Sequence, residues 1–239
     1  MAFDYGPRRT QAGIGTRVLR LITKVVVWFL AISVGLTLVY RFVPVPLTIT
    51  MVADENGFTK DWTPLSRIDR NMVSAVIAAE DGKFCSHSGF DTEAIEQAAQ
   101  RNAQGRKIRG GSTISQQTAK NVFLWQGSGW DRWARKGLEV WFTFLIETLW
   151  DKRRIMEVYL NVAETGIGTY GVEAGAQRYF NKSAARLSRV EAARMAAALP
   201  SPKKRGVTNP RGFTRRYGNT IAARIGSVRR DGLDACIYQ

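Results

Sequence analysis

Glu80 is the residue with the clearest chemical potential in this chain. Val73, Val76 and Ile77 precede it at the i, i+3, i+4, i+7 spacing of one helix face, so an otherwise apolar face ends in a carboxylate. Burial disfavours the charged form of a carboxyl group and raises its pKa, which makes it a better general base near neutral pH. The same spacing also fits a helix-end acid facing solvent or half of a structural ion pair. A second set follows a glycine pair. Gly110 and Gly111 lead into Ser112 and Thr113, and Thr113, Gln117 and Lys120 fall at i, i+4, i+7 on one helix face. A hydroxyl, an amide and an ammonium beside a helix N-terminus suit a diphosphate, although an ordinary capped helix has the same pattern. Arg135 and Glu139 lie at i, i+4, which by itself describes an exposed ion pair worth a few tenths of a kcal/mol.

The elements that must carry these residues are mostly helical. Ser66 and Asp69 open a helix running to about residue 82. Asp91 caps the next, Thr92 to about Ala103, with Ala94, Ile95, Ala98 and Ala99 expected on its buried side. Residues 102–111 are glycine-rich and basic, a surface loop or a positively charged lid. Trp125, Trp130 and Trp133 surround a glycine-rich turn and suit either a core or a bilayer interface. Asp131 is expected to cap a helix reaching Trp150, with an apolar stripe of Leu138, Trp141, Phe142, Leu145 and Leu149. Residues 187–200 form a further amphipathic helix, and the Arg- and Gly-rich segment after it is expected to be surface structure.

The chain has 239 residues and a net charge of +15, of which residues 1–46 contribute +5. A basic charge of this size implies a polyanionic partner: nucleic acid, an anionic membrane, or a phosphate-bearing substrate. No zinc-finger spacing, RNP-like strand or Arg-rich tract supports nucleic acid. Residues 25–40 are a charge-free apolar run, preceded by Arg8, Arg9, Arg17, Arg20 and Lys24 and followed by Arg41, Pro44 and Pro46. No small-residue cleavage site follows it, so it reads as an uncleaved membrane anchor with a cytoplasmic N-terminus. The expected organisation is a basic tail at 1–24, a transmembrane helix and exit at 25–43, and an extracytoplasmic domain at 44–239. Residues 41–47 are expected to be a short stiff linker. Cys85 and Cys236 form no metal or redox motif and are expected to be free thiols, a disulfide being the alternative in an oxidising compartment. His87 is the sole histidine, and its expected role is to fix a loop by hydrogen bonds.

Five stretches carry a resemblance. Glu80 to Asp91 reads Glu-Asp-x-x-Phe-x-x-His-x-Gly-x-Asp and looks like the first signature of the peptidoglycan glycosyltransferases (glycosyltransferase family 51, shared with the penicillin-binding proteins). Residues 110–121 resemble the second, Gly-Gly-Ser-Thr-Ile-Thr-Gln-Gln-Leu-Ala-Lys-Asn, and depart from it at Ser115 and Thr118. Arg135, Lys136 and Glu139 resemble the third, residues 152–161 the fourth and residues 166–180 the fifth. The resemblance covers roughly residues 48–210. It implies a mainly α, lysozyme-like domain behind one N-terminal transmembrane helix. It also implies a single glycosyltransferase activity, because no penicillin-binding domain follows.

The implied substrates are lipid II and the growing glycan strand, at the inner membrane, with the domain in the periplasm. Cell-wall synthesis or division proteins are the implied protein partners. By the same resemblance Glu80 and Glu139 are catalytic, and Asp81, Phe84, Ser112, Thr113, Gln117, Lys120 and Arg135 bind substrate. The expected metal is none built by the protein, with Mg or Mn as the cation that would accompany the diphosphate. Two rivals remain at this level. A lysozyme-like muramidase or lytic transglycosylase would need a second carboxylate and no cationic face. A non-catalytic binder of anionic lipid would explain the charge and the anchor, but not a glutamate on an apolar face.

Overall fold

The computed structural model describes residues 13–103, 111–127, 129 and 131–238. Most of the basic loop, residues 104–110, lies outside the described residues, as do Trp130, Arg8 and Arg9. The side chains of Ala98 and Ala99 also lie outside them.

Helix α1 (Ile14–Phe42) is 29 residues long and starts well before the charge-free run. At 1.5 Å per residue it is roughly 43 Å long, against about 30 Å for a bilayer's hydrocarbon core. Its flanks are exposed and apolar, and it is the one helix among the described residues long and apolar enough to span a membrane. Its second half is docked on the domain. Ser33 and Thr37 are buried there. Trp141 Nε1 donates to Ser33 Oγ at 3.1 Å, and Trp150 Nε1 donates to the Thr37 carbonyl at 2.7 Å.

The exit segment is extended, as expected, and it is held against the domain. Pro44 and Pro46 hold it extended, so its carbonyls need outside donors. Arg154 donates to Tyr40 and Val43, Lys60 donates to Val45 and Pro46, and Val45 is fully buried.

Behind the anchor the domain is mainly α. After the short α2 (Ile49–Val52) come β1 (Thr59–Lys60), a 3-10 turn at Leu65–Arg67 and α3 (Arg70–Glu80). Asp69 caps α3 by accepting from Asn71 N at 2.7 Å, while Ser66 stays in the preceding turn. Met72 to Ile77 are buried, making α3 the central helix. The next helices are α4 (Thr92–Ala103), α5 (Ile114–Phe123), α6 (Arg132–Leu149) and α7 (Lys152–Val162). Asp91 caps α4 as expected, but Ile95 is 44% exposed rather than buried. Asp131 does not cap α6 with its side chain; the carboxylate takes the Trp125 indole N–H instead.

Strands β2 (Glu164–Gly166) and β3 (Thr169–Tyr170) complete a small sheet of order β1-β3-β2, with β1 parallel and β2 antiparallel to β3. Then come α8 (Val172–Phe180), α9 (Arg189–Ala198), α10 (Gly212–Arg230) and α11 (Ala235–Tyr238). The buried alanines Ala192, Ala193, Ala196 and Ala197 let α9 lie close against α3. Helix α10 corrects the surface reading of its segment. Ile221, Ile225 and Val228, spaced i, i+4, i+7, are buried as it packs on α3 and α9.

Cys85 and Cys236 form a disulfide across 151 residues, which corrects the free-thiol reading. The fold of α10 and α11 back onto α3 brings the two together.

Candidate active site

Glu80 ends α3, and the residues after it turn sharply under four constraints. Asp81 is buried and accepts from the Ile114 backbone N–H, the first residue of α5, at 3.0 Å. His87 Nε2 lies 3.0 Å from both Asp81 oxygens. His87 Nδ1 accepts the Gly89 N–H at 3.1 Å, which leaves the ring proton on Nε2, facing Asp81. Thr113 Oγ1 donates to the Gly89 carbonyl at 2.7 Å. The signature turn is thereby fastened to the start of α5, and His87 holds the loop.

Gly89 sits at φ 91°. A Cβ there would lie 2.8 Å from Thr143 Cγ2 and 2.9 Å from Glu147 Cγ. Gly89→Ala is therefore expected to cost about 2–4 kcal/mol from backbone strain and overpacking together. Urea unfolding measures it, and an unchanged midpoint would mean the turn is not constrained this way.

Helix α5 places the polar set. Gln117 Nε2 donates to Glu80 Oε2 at 2.9 Å, and Gln117 Oε1 accepts from Tyr159 Oη at 3.4 Å. Glu80 Oε1 is buried and has no hydrogen-bond partner among the described residues. Burial raises the Glu80 pKa; the Gln117 bond and the charges of Arg205 and Lys120 oppose the rise without cancelling it. Burial also lowers the pKa of Lys120, while Glu139 acts to keep it charged and Arg135 and Lys136 act against it. Glu139 is 5% exposed and pairs with Lys136, not with Arg135 as the i, i+4 spacing suggested. Arg135 donates from Nη2 to the Gly127 carbonyl at 3.2 Å, and its Nε is buried without a partner among the described residues.

Two cavities meet at this set. One of about 190 Å³ is lined by Glu80, Asp81, Ser112 and Thr113; one of about 470 Å³ is lined by Gln117, Lys120, Trp125 and Tyr159. The hydrogen-bonded Glu80–Gln117 pair has one member in each lining. A buried carboxyl group with a raised pKa thus stands beside a cavity lined by a desolvated ammonium.

Three of the expected substrate contacts are already engaged by the protein. Phe84 is fully buried, with the Lys152 ammonium 4.6 Å above its ring, so it supports the turn from beneath. Thr113 is 2% exposed, and its hydroxyl is occupied by Gly89 and by the capping box with Gln116. Asp81 carries the hinge between α3 and α5. Tyr159 and Arg205 belong to the site and were not singled out. Tyr159 lies in the fourth signature, to which no site residue was assigned, and Arg205 in the segment expected to be surface structure. Asn161 of that signature is architectural, holding Thr63 through both its N–H and its carbonyl.

Fold and site together define a mainly α-helical domain, preceded by one helix long and apolar enough to cross a membrane and built around a buried carboxylate beside a cavity that Lys120 lines. The chain belongs to the transglycosylase family, whose profile, described as Transglycosylase, matches residues 48–225. It is 53% identical over 203 residues to a biosynthetic peptidoglycan transglycosylase of Caulobacter vibrioides, covering 84% of this chain and 87% of the relative. A protein of the same name from Rhodospirillum centenum is 46% identical over 226 residues, covering 92% and 96%. Another from Pseudomonas aeruginosa is 47% identical over 221 residues, covering 89% and 94%.

Proposed function

We propose that this protein is a peptidoglycan glycosyltransferase that polymerises lipid II into β-1,4 glycan strands. The observation that carries the reading is the desolvated Glu80 carboxylate, bonded through Gln117 to the wall that also bears Lys120. The acceptor's GlcNAc 4-hydroxyl is a poor nucleophile until its proton is taken, and Glu80 takes it. The oxygen then bonds to the anomeric carbon of the lipid-linked MurNAc as the bond to the diphosphate oxygen breaks on the opposite face. The configuration inverts and undecaprenyl diphosphate leaves with the electron pair. A diphosphate needs charge stabilisation more than a proton, and Lys120 and Arg135 supply it. Glu139 opposes the loss of charge on Lys120 and pairs with Lys136.

No group of three or more His, Cys, Asp or Glu side chains converges on a metal position among the described residues, and Glu139 is already paired with Lys136. We therefore assign any Mg or Mn ion to the diphosphate's own oxygens. The lysine and arginine density before and within the first turns of α1 orients its N-terminus to the cytoplasm, and the disulfide suits an oxidising periplasm. Trp133, Val140 and Phe144 are exposed along one side of α6, the helix on which α1 docks, and offer a shallow contact with the inner membrane's surface.

The test pairs two substrates. Purified full-length protein with lipid II should yield polymeric glycan, and with finished, diphosphate-free peptidoglycan it should release no fragments. Fragment release without polymer would make the protein a muramidase.

A further inference from the structure

The helix that carries Glu80 is held from behind by α10 and the residues after it, a segment that runs past residue 225, where the family match ends. Helix α10 touches α3 at both ends. Tyr217 Oη donates to the Ala79 carbonyl at 2.7 Å, one residue before Glu80, and Arg229 Nη2 donates to Asn71 Oδ1 at 2.7 Å in the first turn. After α10 the chain buries Asp234 completely. The Asp234 carboxylate accepts from Arg70 Nε at 2.9 Å and Nη2 at 2.8 Å, and from Ser74 Oγ at 3.4 Å, all on α3. In α11, Ile237 is buried and its carbonyl takes Arg153 Nη1 of α7 at 2.9 Å, while the Arg70 guanidinium lies 4.6 Å over the Tyr238 ring. Cys236 of α11 is bonded to Cys85, in the turn that leaves Glu80. Arg229, Asp234 and Cys236 all follow residue 225, where the family match ends.

We propose that residues 229–238 form a clasp that positions the Glu80 turn for proton transfer, and that the Cys85–Cys236 disulfide makes the rate of glycosyl transfer depend on thiol oxidation. The proposal rests on the glycosyltransferase reading of Glu80. On its α5 side the turn is held by the Asp81 contacts with His87 and Ile114; on its other side the disulfide is its covalent hold. The Arg70–Asp234 pair, with Asp234 buried and Arg70 44% exposed, holds the first turn of α3, ten residues before Glu80, and not the Glu80 turn itself. The covalent bond cannot open without a reductant. A carboxylate's contribution as a base depends on sub-ångström placement, so loosening the turn lowers turnover before it disturbs the bulk of the fold.

The groups around Glu80 fix the expected pH signature. Asp81 adjoins it, Lys120 faces it from α5, Tyr159 from α7, and Arg205 from the segment between α9 and α10. Burial is the largest influence on its carboxyl group and raises the pKa. A loosened turn admits water and lets that pKa fall.

The experiment uses the full-length protein in bilayer discs with lipid II. Rates are followed against pH for the oxidised protein, for the protein reduced with dithiothreitol, and for Cys236→Ser, with thiols counted by mass. Opening the bond should lower kcat about tenfold, leave KM nearly unchanged, and move the acid limb of kcat to lower pH, with helical circular dichroism retained. Reoxidation of the wild type should restore the rate, and Cys236→Ser should not respond. Unchanged rates and pH profile in fully reduced protein would overturn the proposal. So would a rate loss matched by an equal loss of helical signal, which would make the bond a stabilising staple only. Oxidised wild type that makes polymer separates failure of the clasp from failure of the functional reading; oxidised protein that makes none removes both.

Discussion

Glu80→Gln should polymerise lipid II at least about 10²-fold more slowly than wild type, with lipid II binding nearly unchanged. Glutamine keeps the shape of the side chain and still accepts the Gln117 N–H, but it cannot take a proton from the acceptor hydroxyl. The substitution should not unfold the domain. Because burial raises the folded-state pKa of Glu80, the folded state binds this proton more tightly than the unfolded chain does. Its effect on stability is therefore lost as pH rises from the ordinary carboxylate value through the raised one, and at neutral pH the buried charge is destabilising. Glu80→Gln should melt at or above the wild-type temperature at pH 7. Initial rates of polymer formation, a lipid II binding isotherm and a thermal melt together check this. A wild-type rate would remove Glu80 from the mechanism, and a slow variant that is also unfolded would leave chemistry unseparated from structure.

Lys120→Ala carries the second large effect. Negative charge on the diphosphate grows as the glycosidic bond breaks, and an interaction that strengthens along the reaction lowers the barrier beyond what it adds to binding. Loss of one such cation should lower kcat by about 10²-fold and raise KM as well. Glu139 would also lose one of the cations it faces, so the variant should be checked for folding by circular dichroism. Arg135→Lys should damage turnover too, because a point charge cannot reproduce a guanidinium fork on phosphate oxygens. The comparison is steady-state kinetics of wild type and both variants on lipid II. A change in KM alone would mean these cations hold the substrate without assisting departure of the leaving group.

The polar face of α5 and the position of Glu80 were legible because helical periodicity is local. Three or four residues decide which side chains share a side, so Glu80, Gln117 and Lys120 could be placed from spacing. Which hydroxyl or carboxylate is free to meet substrate was not legible, because that depends on partners far along the chain. Thr113 finds Gly89, Asp81 finds Ile114, and Phe84 lies beneath Lys152. Glu139 chose Lys136 over Arg135, a choice between i, i−3 and i, i−4 partners that spacing leaves open. The disulfide joins residues whose proximity exists only once α10 has packed on α3. The apolar face of α10 was present in the sequence at Ile221, Ile225 and Val228, but the surrounding arginines and glycines masked it. The exit from α1 was legible as extended and stiff, but its partners were not, for a related reason. Prolines do force an extended path, yet Arg154 and Lys60 turn that path into a tied-down strap.

The most direct test of the central claim is the pH dependence of kcat/KM for lipid II polymerisation, measured for wild type and for the residual activity of Glu80→Gln. The account predicts an acid-side fall in the wild type with its midpoint above the ordinary carboxylate range, because a buried carboxyl group must lose its proton before it can act as base. It also predicts that this limb disappears in Glu80→Gln. An identical acid limb in both proteins would contradict it, since the titrating group would then be one other than Glu80.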